Sequence, residues 1–227
     1  MKVLHEEEYK DFHPQVLQPL DIKVDIDLFE QQMHEYRYAF RRWGAKHHNK
    51  PRYGAPLVNV NGEMFNNPEP VCYPLGQLNA GKPESEHIYD IHCTKPTEML
   101  DATSFDPLAP LKPFMLRSCI LKWDTGGMFY PHTDTCMPSE IIRLWGTNDP
   151  EHMQFRFDKD RKYASPDIVD DSDFELVEET GIEAGRLYIA DTYVIHDAHA
   201  TGDNVYQFFI ALSPECMPVL KELICTE

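Results

Sequence analysis

Hydrophobic positions recur with a clear helical period once along the 227 residues. Between Asp25 and Trp43, the residues Phe29, Met33, Tyr36, Phe40 and Trp43 fall at i, i+4, i+7, i+11 and i+14, which puts them on one face of a helix. Asp27 with Glu30 offers a capping-box-like start, and Gly44 a stop. From residue 114 the texture changes to short apolar runs separated by turn residues: 114–123, 129–132, 140–145, 153–157, 174–178, 186–189, 193–195 and 205–212. Asp158-Lys159-Asp160 reads as a hairpin-like tip and residues 167–173 as an acidic solvated loop. Many short strands at close spacing, with no helical pattern between them, indicate a β-sandwich or barrel.

The stretch from 51 to 113 is studded with proline, which disfavours long helices and central strands alike. Within it Leu57-Val58-Asn59-Val60 before Asn61-Gly62 reads as a short strand entering a turn, and the rest as ordered loops over a core. After Ser213-Pro214 a short helix is expected, limited by Pro218. The chain thus reads as one domain over 1–227. A helical, loop-rich elaboration (1–112) precedes a β core (113–213), and a tail (214–227) follows.

Composition narrows the function classes. A hydrophobic share of 42% with 26% charged residues is that of a globular protein, and 227 residues suffice for a sizeable core. A formal net charge of −17 disfavours nucleic acid as a partner, because phosphate-backbone binders carry a basic face. The basic group Arg37, Arg41, Arg42, Lys46, Lys50 and Arg52, with His47 and His48, reads as a solvated face at the C-terminal end of the helix; an anion-docking patch is the alternative. The six cysteines form no Cys-x-x-Cys pair, as expected of free thiols in a reducing compartment. No apolar run has the length of a membrane span and no signal-peptide core follows Met1, so a cytoplasmic location is expected.

Chemistry concentrates at Asp124-Thr125-Gly126-Gly127-Met128-Phe129-Tyr130-Pro131-His132-Thr133-Asp134. The paired glycines make a turn and Phe129-Tyr130 favour a strand, so His132 and Asp134, two residues apart, point the same way. An imidazole and a carboxylate suit a divalent first-row metal, and one further histidine completes the two-histidine, one-carboxylate face of non-haem Fe(II) sites. The triplet alone is weak: His5-Glu6-Glu7 has a similar spacing, and a loop histidine beside a turn-capping Asp is the commoner meaning.

Downstream, Gly185 to Ala200 and Asn204 to Leu212 give a glycine-initiated apolar strand, a turn, a short strand ending in His196, a polar turn and a final apolar strand. With His132-Thr133-Asp134, this order resembles the Fe(II)/2-oxoglutarate-dependent oxygenases, and within them the aspartyl/asparaginyl β-hydroxylase branch, with prolyl hydroxylases as neighbours. The matching positions are Lys122, Gly126 and Pro131-His132 for the first ligand and residues 191–196 for the distal one, over roughly the last half of the chain.

The resemblance implies a mainly β fold, a double-stranded β-helix (jelly roll, cupin-like) with the N-terminal helix and Pro-rich loops packed on it. It implies Fe(II) held by His132, Asp134 and His196, with His199 as the rival for the distal place. It further implies 2-oxoglutarate and O2 as co-substrates, with release of succinate and CO2. The hydroxylated substrate is unidentified: a peptidyl Asp, Asn or Pro side chain by analogy, with a free amino acid or other small metabolite as the alternative. Co-substrate carboxylates need cations or hydrogen-bond donors. The branch places one at Arg143, inside the apolar run Ile141-Ile142-Arg143-Leu144-Trp145, and an arginine ten residues past the distal histidine. Here that place holds Tyr206, with Gln207 adjacent, so both are candidate co-substrate residues and Arg117, Lys122 or Arg186 alternative cations. A non-catalytic jelly-roll metal-binding or structural module is the competing reading. A sugar-isomerase-like cupin is disfavoured by the missing extra histidine and glutamate ligands.

Overall fold

A computed structural model describes residues 15–42, 51–64, 79, 81–134, 141–160 and 174–225. In chain order they form β1 (Leu17–Lys23), α1 (Ile26–Glu35), β2 (Arg41–Arg42), β3 (Arg52–Asn59), β4 (Lys95–Pro96), β5 (Ser118–Trp123), β6 (Met128–His132), β7 (Ile142–Thr147), β8 (Met153–Asp158), β9 (Leu176–Glu178), β10 (Arg186–Ala190), β11 (His196–Ala200), β12 (Val205–Leu212) and α2 (Met217–Leu223). One antiparallel sheet runs β1-β10-β7-β12-β5-β3-β2, with β4 paired to β3; the other runs β6-β11-β8-β9. From β5 onward the chain crosses between the two sheets: β5, β7, β10 and β12 lie in the larger, and β6, β8, β9 and β11 in the smaller. This winding is the double-stranded β-helix, mainly β and antiparallel throughout.

Two apolar layers follow from strand alternation. Between the sheets lie Leu121, Trp123, Trp145, Phe155, Phe157, Ala198 and Val205. On the outer face of the larger sheet, Ile120, Leu144, Phe208 and Ile210 pack with Phe29 and Met33 of α1. The Phe29 ring, fully buried, meets Phe208 edge-on at 4.9 Å and Tyr206 at 5.5 Å.

The helix is shorter than its apolar period. The Asp25 side chain, with extended backbone, accepts from the Leu28 N–H, so the cap is Asp25 and not Asp27. The helix ends at Glu35; a 3-10 turn over Arg37–Ala39 and then β2 continue the chain, so the i+11 contact of Phe40 is made off the helix. Trp43 and Gly44 lie outside the described residues, as does the 167–173 loop.

The N-terminal half is less loop-like than its prolines suggest. β1 adds an edge strand beside β10, where Pro19 is tolerated, and β3 runs eight residues with a register shift after Pro56. Residues 193–195 form no strand; β11 instead begins at His196. Pro218 sits in the first turn of α2 and starts that helix, since a missing N–H costs nothing there.

Candidate metal centre

The turn between β5 and β6 needs its glycines. Gly126 has φ +81°, and a Cβ at Gly127 would stand 2.8 Å from the Pro51 carbonyl oxygen and 2.9 Å from Trp123. The turn is stitched to the end of β11, with the Gly126 N–H donating to Ala200 O at 2.9 Å and the Ala200 N–H to Gly127 O at 2.8 Å. β6 therefore runs antiparallel beside β11, and the register makes His132 and His196 direct partners. Facing positions on adjacent strands bring side chains together. The two rings lie 4.4 Å apart.

Asp134 follows β6 by two residues and is anchored by its own N–H, which donates to Thr192 O at 2.9 Å. Its Oδ1 lies 3.6 Å from His132 Nε2. One ligand atom from each of His132, Asp134 and His196 lies within 4.8 Å of the others, the one such group among the described residues. His196 is buried, while the His132 side chain is 41% exposed, which leaves one side of the cluster open to solvent.

Protonation favours ligation. The Nδ1 of His132 is 2.7 Å from Tyr130 O, and that of His196 is 2.8 Å from Val194 O. A carbonyl only accepts, so each Nδ1 carries a proton, which leaves Nε2 as the ring nitrogen for ligation. Burial, then His132, depresses His196 to about 3. Burial alone would raise the Asp134 carboxyl, but Arg143 and the two histidines outweigh it and hold it at about 2. Near neutral pH the cluster thus offers a neutral buried imidazole and a carboxylate. Two nitrogens and one oxygen on one side of an open point suit a non-haem Fe(II) or a similar divalent ion.

His199 lies on the other side of β11. Three residues from His196, it faces outward with Asp197, whose carboxylate is paired with Arg156, and so it stands away from the cluster. Arg143 points inward from β7, its Nε donating to Asp134 Oδ2 at 3.2 Å and its Nη1 3.6 Å from Asp90 Oδ1; its guanidinium lies over the Phe209 ring. It is thus a neighbour of the candidate ligand, already flanked by two carboxylates.

Alternation separates Tyr206 from Gln207. Tyr206 packs outward on Phe29 and Phe40, which corrects its expected place beside a co-substrate. Gln207 faces inward between Val205 and Phe209, fully buried, with neither Oε1 nor Nε2 hydrogen-bonded. Lys122, the register partner of Tyr206, shares its outward face and lies 3.9 Å from Asp124, while Arg186 pairs with Glu183 and Leu20 O at the far side of the larger sheet. Lys122 therefore points away from the space between the sheets, and Arg186 is already engaged by a carboxylate.

No protein-family model matches the chain, and no curated protein matches it. Among solved structures, an oxalate oxidase aligns at 13% identity and TM-score 0.30 over 45% of this chain, which spans 43% of the oxidase chain. SnoK, a non-haem α-ketoglutarate-dependent carbocyclase from nogalamycin biosynthesis, aligns at 13% identity and TM-score 0.48 over 92% of this chain and 84% of its own. HygX from Streptomyces hygroscopicus, solved with nickel, 2-oxoglutarate and hygromycin B bound, aligns at 11% identity and TM-score 0.44 over 94% and 88%. At such identities and scores these likenesses carry no weight for activity, which must be argued from the side chains.

Two features escape a reading of the sequence, the buried Asp90 and the inward place of Arg52. Asp90, fully buried in a 3-10 turn, accepts from Arg117 Nε at 3.0 Å and flanks Arg143, which gives an alternating row Asp134, Arg143, Asp90, Arg117. Arg117 is thereby engaged by a carboxylate. Arg52 departs from the solvated basic group to which its neighbours Arg37, Arg41 and Arg42 belong: it is 5% exposed. Only its place two residues before an apolar run, at inward parity with Pro56, hints at this in the sequence.

Proposed function

We propose that this chain is an Fe(II)- and 2-oxoglutarate-dependent dioxygenase that hydroxylates a bound substrate, with release of succinate and CO2. The observation that carries the reading is that one ligand atom from each of His132, Asp134 and His196 lies within 4.8 Å of the others, on the smaller sheet of a double-stranded β-helix and with His132 open to solvent. Those three residues would hold Fe(II), and Gln207 would offer its unsatisfied amide to the co-substrate. When bound, the metal with its keto acid supplies the oxidising chemistry.

The chain's own part is orientation. Carbonyls of Tyr130 and Val194 fix the ring tautomers, and Arg143 holds one Asp134 oxygen so that the other is free to ligate. Trp145, edge-on to the His196 ring, and Phe157, tilted against it, keep water from the buried side. The motif resemblance around Lys122, Gly126 and Pro131-His132 supports the finer reading of a peptidyl Asp, Asn or Pro side chain as the substrate.

Anaerobic addition of Fe(II) and 2-oxoglutarate should produce the visible charge-transfer band of a metal–keto acid chelate, and His132→Ala should abolish it. Undiminished succinate formation by that variant would refute the assignment. The outward turn of Tyr206 and the double engagement of Arg143 favour one second reading, a metal-binding module without turnover. A module of that kind gains melting temperature with Mn(II) but no more on adding N-oxalylglycine, whereas the enzyme gains with both.

A further inference from the structure

We propose that Arg52 is the counter-charge for a carboxylate held between the two sheets, namely the far carboxylate of the dicarboxylate co-substrate. This rests on the function proposed above. Arg52 opens β3 in register with Trp123, whose buried side chain belongs to the layer between the sheets, so both point inward. From there the arginine crosses to the smaller sheet: Nη1 donates to Met128 O at 2.6 Å, and the guanidinium carbon lies 4.2 Å from the centre of the Phe129 ring. Among the described residues no carboxylate pairs with it, and its buried Nε has no hydrogen-bond partner.

Among the described residues, the other buried guanidiniums are engaged. Arg117 and Arg143 share Asp90, and Arg143 also binds Asp134. A buried, uncompensated cation is costly, and a guanidinium cannot escape by losing its proton near neutral pH. The strain of burial shows in its acidity, drawn down to about 10 and opposed only by the Tyr130 phenol. A carbonyl and a ring face relieve part of this, but an anion completes it.

The place also fits. The steps from Arg52 to the Phe129 ring (4.2 Å) and from that ring to the His132 ring (5.9 Å) keep the guanidinium within about 10 Å of the candidate ligand. A five-carbon dicarboxylate bound at the centre bridges that span. Two residues along β3, the next inward position is Gly54, which has no side chain, and its register runs through Leu121 to Gln207. The row beside Arg52 therefore ends on an amide whose two polar atoms are both unsatisfied. The cation expected on the last strand is thus supplied from the N-terminal half, with Gln207 as its neutral companion.

The test uses the full chain loaded with Mn(II) and compares 2-oxoglutarate with 2-oxopentanoate, which keeps the keto acid end and replaces the far carboxylate by a methyl group. Titration calorimetry should show the wild type preferring 2-oxoglutarate by about 30-fold, the effect of a charge-assisted pair. In Arg52→Met that preference should fall below about 3-fold, the residue left by uncharged contacts, with Mn(II) affinity unchanged. Arg52→Gln, which can still donate to Met128 O, gives the same reading should Arg52→Met fail to fold. A folded variant that keeps the wild-type preference overturns the assignment and makes Arg52 a structural strut. Wild type that binds Mn(II) but neither keto acid overturns instead the co-substrate reading on which it rests.

Discussion

The backbone N–H of Asp134 donates to the carbonyl of Thr192 at 2.9 Å, which ties the segment after β6 to the turn that delivers His196. Two stretches some sixty residues apart in sequence are therefore held in one geometry before any ion arrives. The register pairing of His132 with His196 completes the arrangement.

Metal binding should follow this geometry residue by residue. His132→Ala and His196→Ala are each expected to lower Co(II) affinity by more than about 100-fold, beyond the range typical of losing an outer partner. His199→Ala, on the outward side of β11, should leave it within about 3-fold of wild type. Competition against a chromophoric chelator reads all three. A loss in His199→Ala equal to that in His196→Ala would contradict the strand parity.

Much of this was legible from residue patterns, and the exceptions have physical reasons. Alternation marked β6, β8, β10 and β12 to within a residue or two, because each has one face against an apolar layer. β11 was misplaced by its apolar lead-in: Tyr193-Val194-Ile195 look like a strand, yet they only lead out of the turn at 192–193, and the polar run His196-Asp197-Ala198-His199 is the strand. Its polar residues are carried by specific partners, Arg156 for Asp197 and the metal cluster for His196. β1 was missed because Pro19 and Asp21 interrupt its pattern, and an edge position tolerates both. The Asp90–Arg117 pair joins positions 27 residues apart in a loop without periodicity, so nothing local announces it. Arg52 was hidden by its neighbours, a basic run that suggested solvent.

Asp90 should be far more important than its loop position suggests. Its removal in Asp90→Asn leaves Arg117 and Arg143 buried side by side with one carboxylate fewer, and losing one member of a buried ionic network typically costs about 3–5 kcal/mol. Urea denaturation of the metal-free protein checks this. A change below about 1 kcal/mol, the range of an exposed pair, would mean that water reaches the cluster.

Gln207 and Tyr206, adjacent on β12, should behave oppositely. Gln207→Leu removes two buried polar atoms that have no partner, so the ligand-free protein should gain about 1–3 kcal/mol while losing about 10-fold in 2-oxoglutarate affinity. Tyr206→Phe should leave keto acid binding unchanged, since its ring lies against Phe29 on the outer face. Paired melting curves with and without Mn(II) and 2-oxoglutarate separate the two. A Gln207→Leu protein that is both less stable and unimpaired in binding would make the glutamine a packing residue.

The last expectation concerns the helix rather than the site. Phe29 is fully buried and makes edge-on ring contacts with Phe105, Tyr206 and Phe208, so it fastens α1 to the outside of the larger sheet. Phe29→Ala deletes a ring that the surrounding aromatics cannot collapse to replace, and such truncations cost about 3–5 kcal/mol. The two histidines of the site are carried by the smaller sheet, on β6 and β11, across the inner apolar layer from α1, so the variant should melt lower yet bind Mn(II) with wild-type affinity below its transition. If metal affinity fell in step with stability, α1 would have to be counted among the elements that shape the centre, and the separation of the two apolar layers would be incomplete.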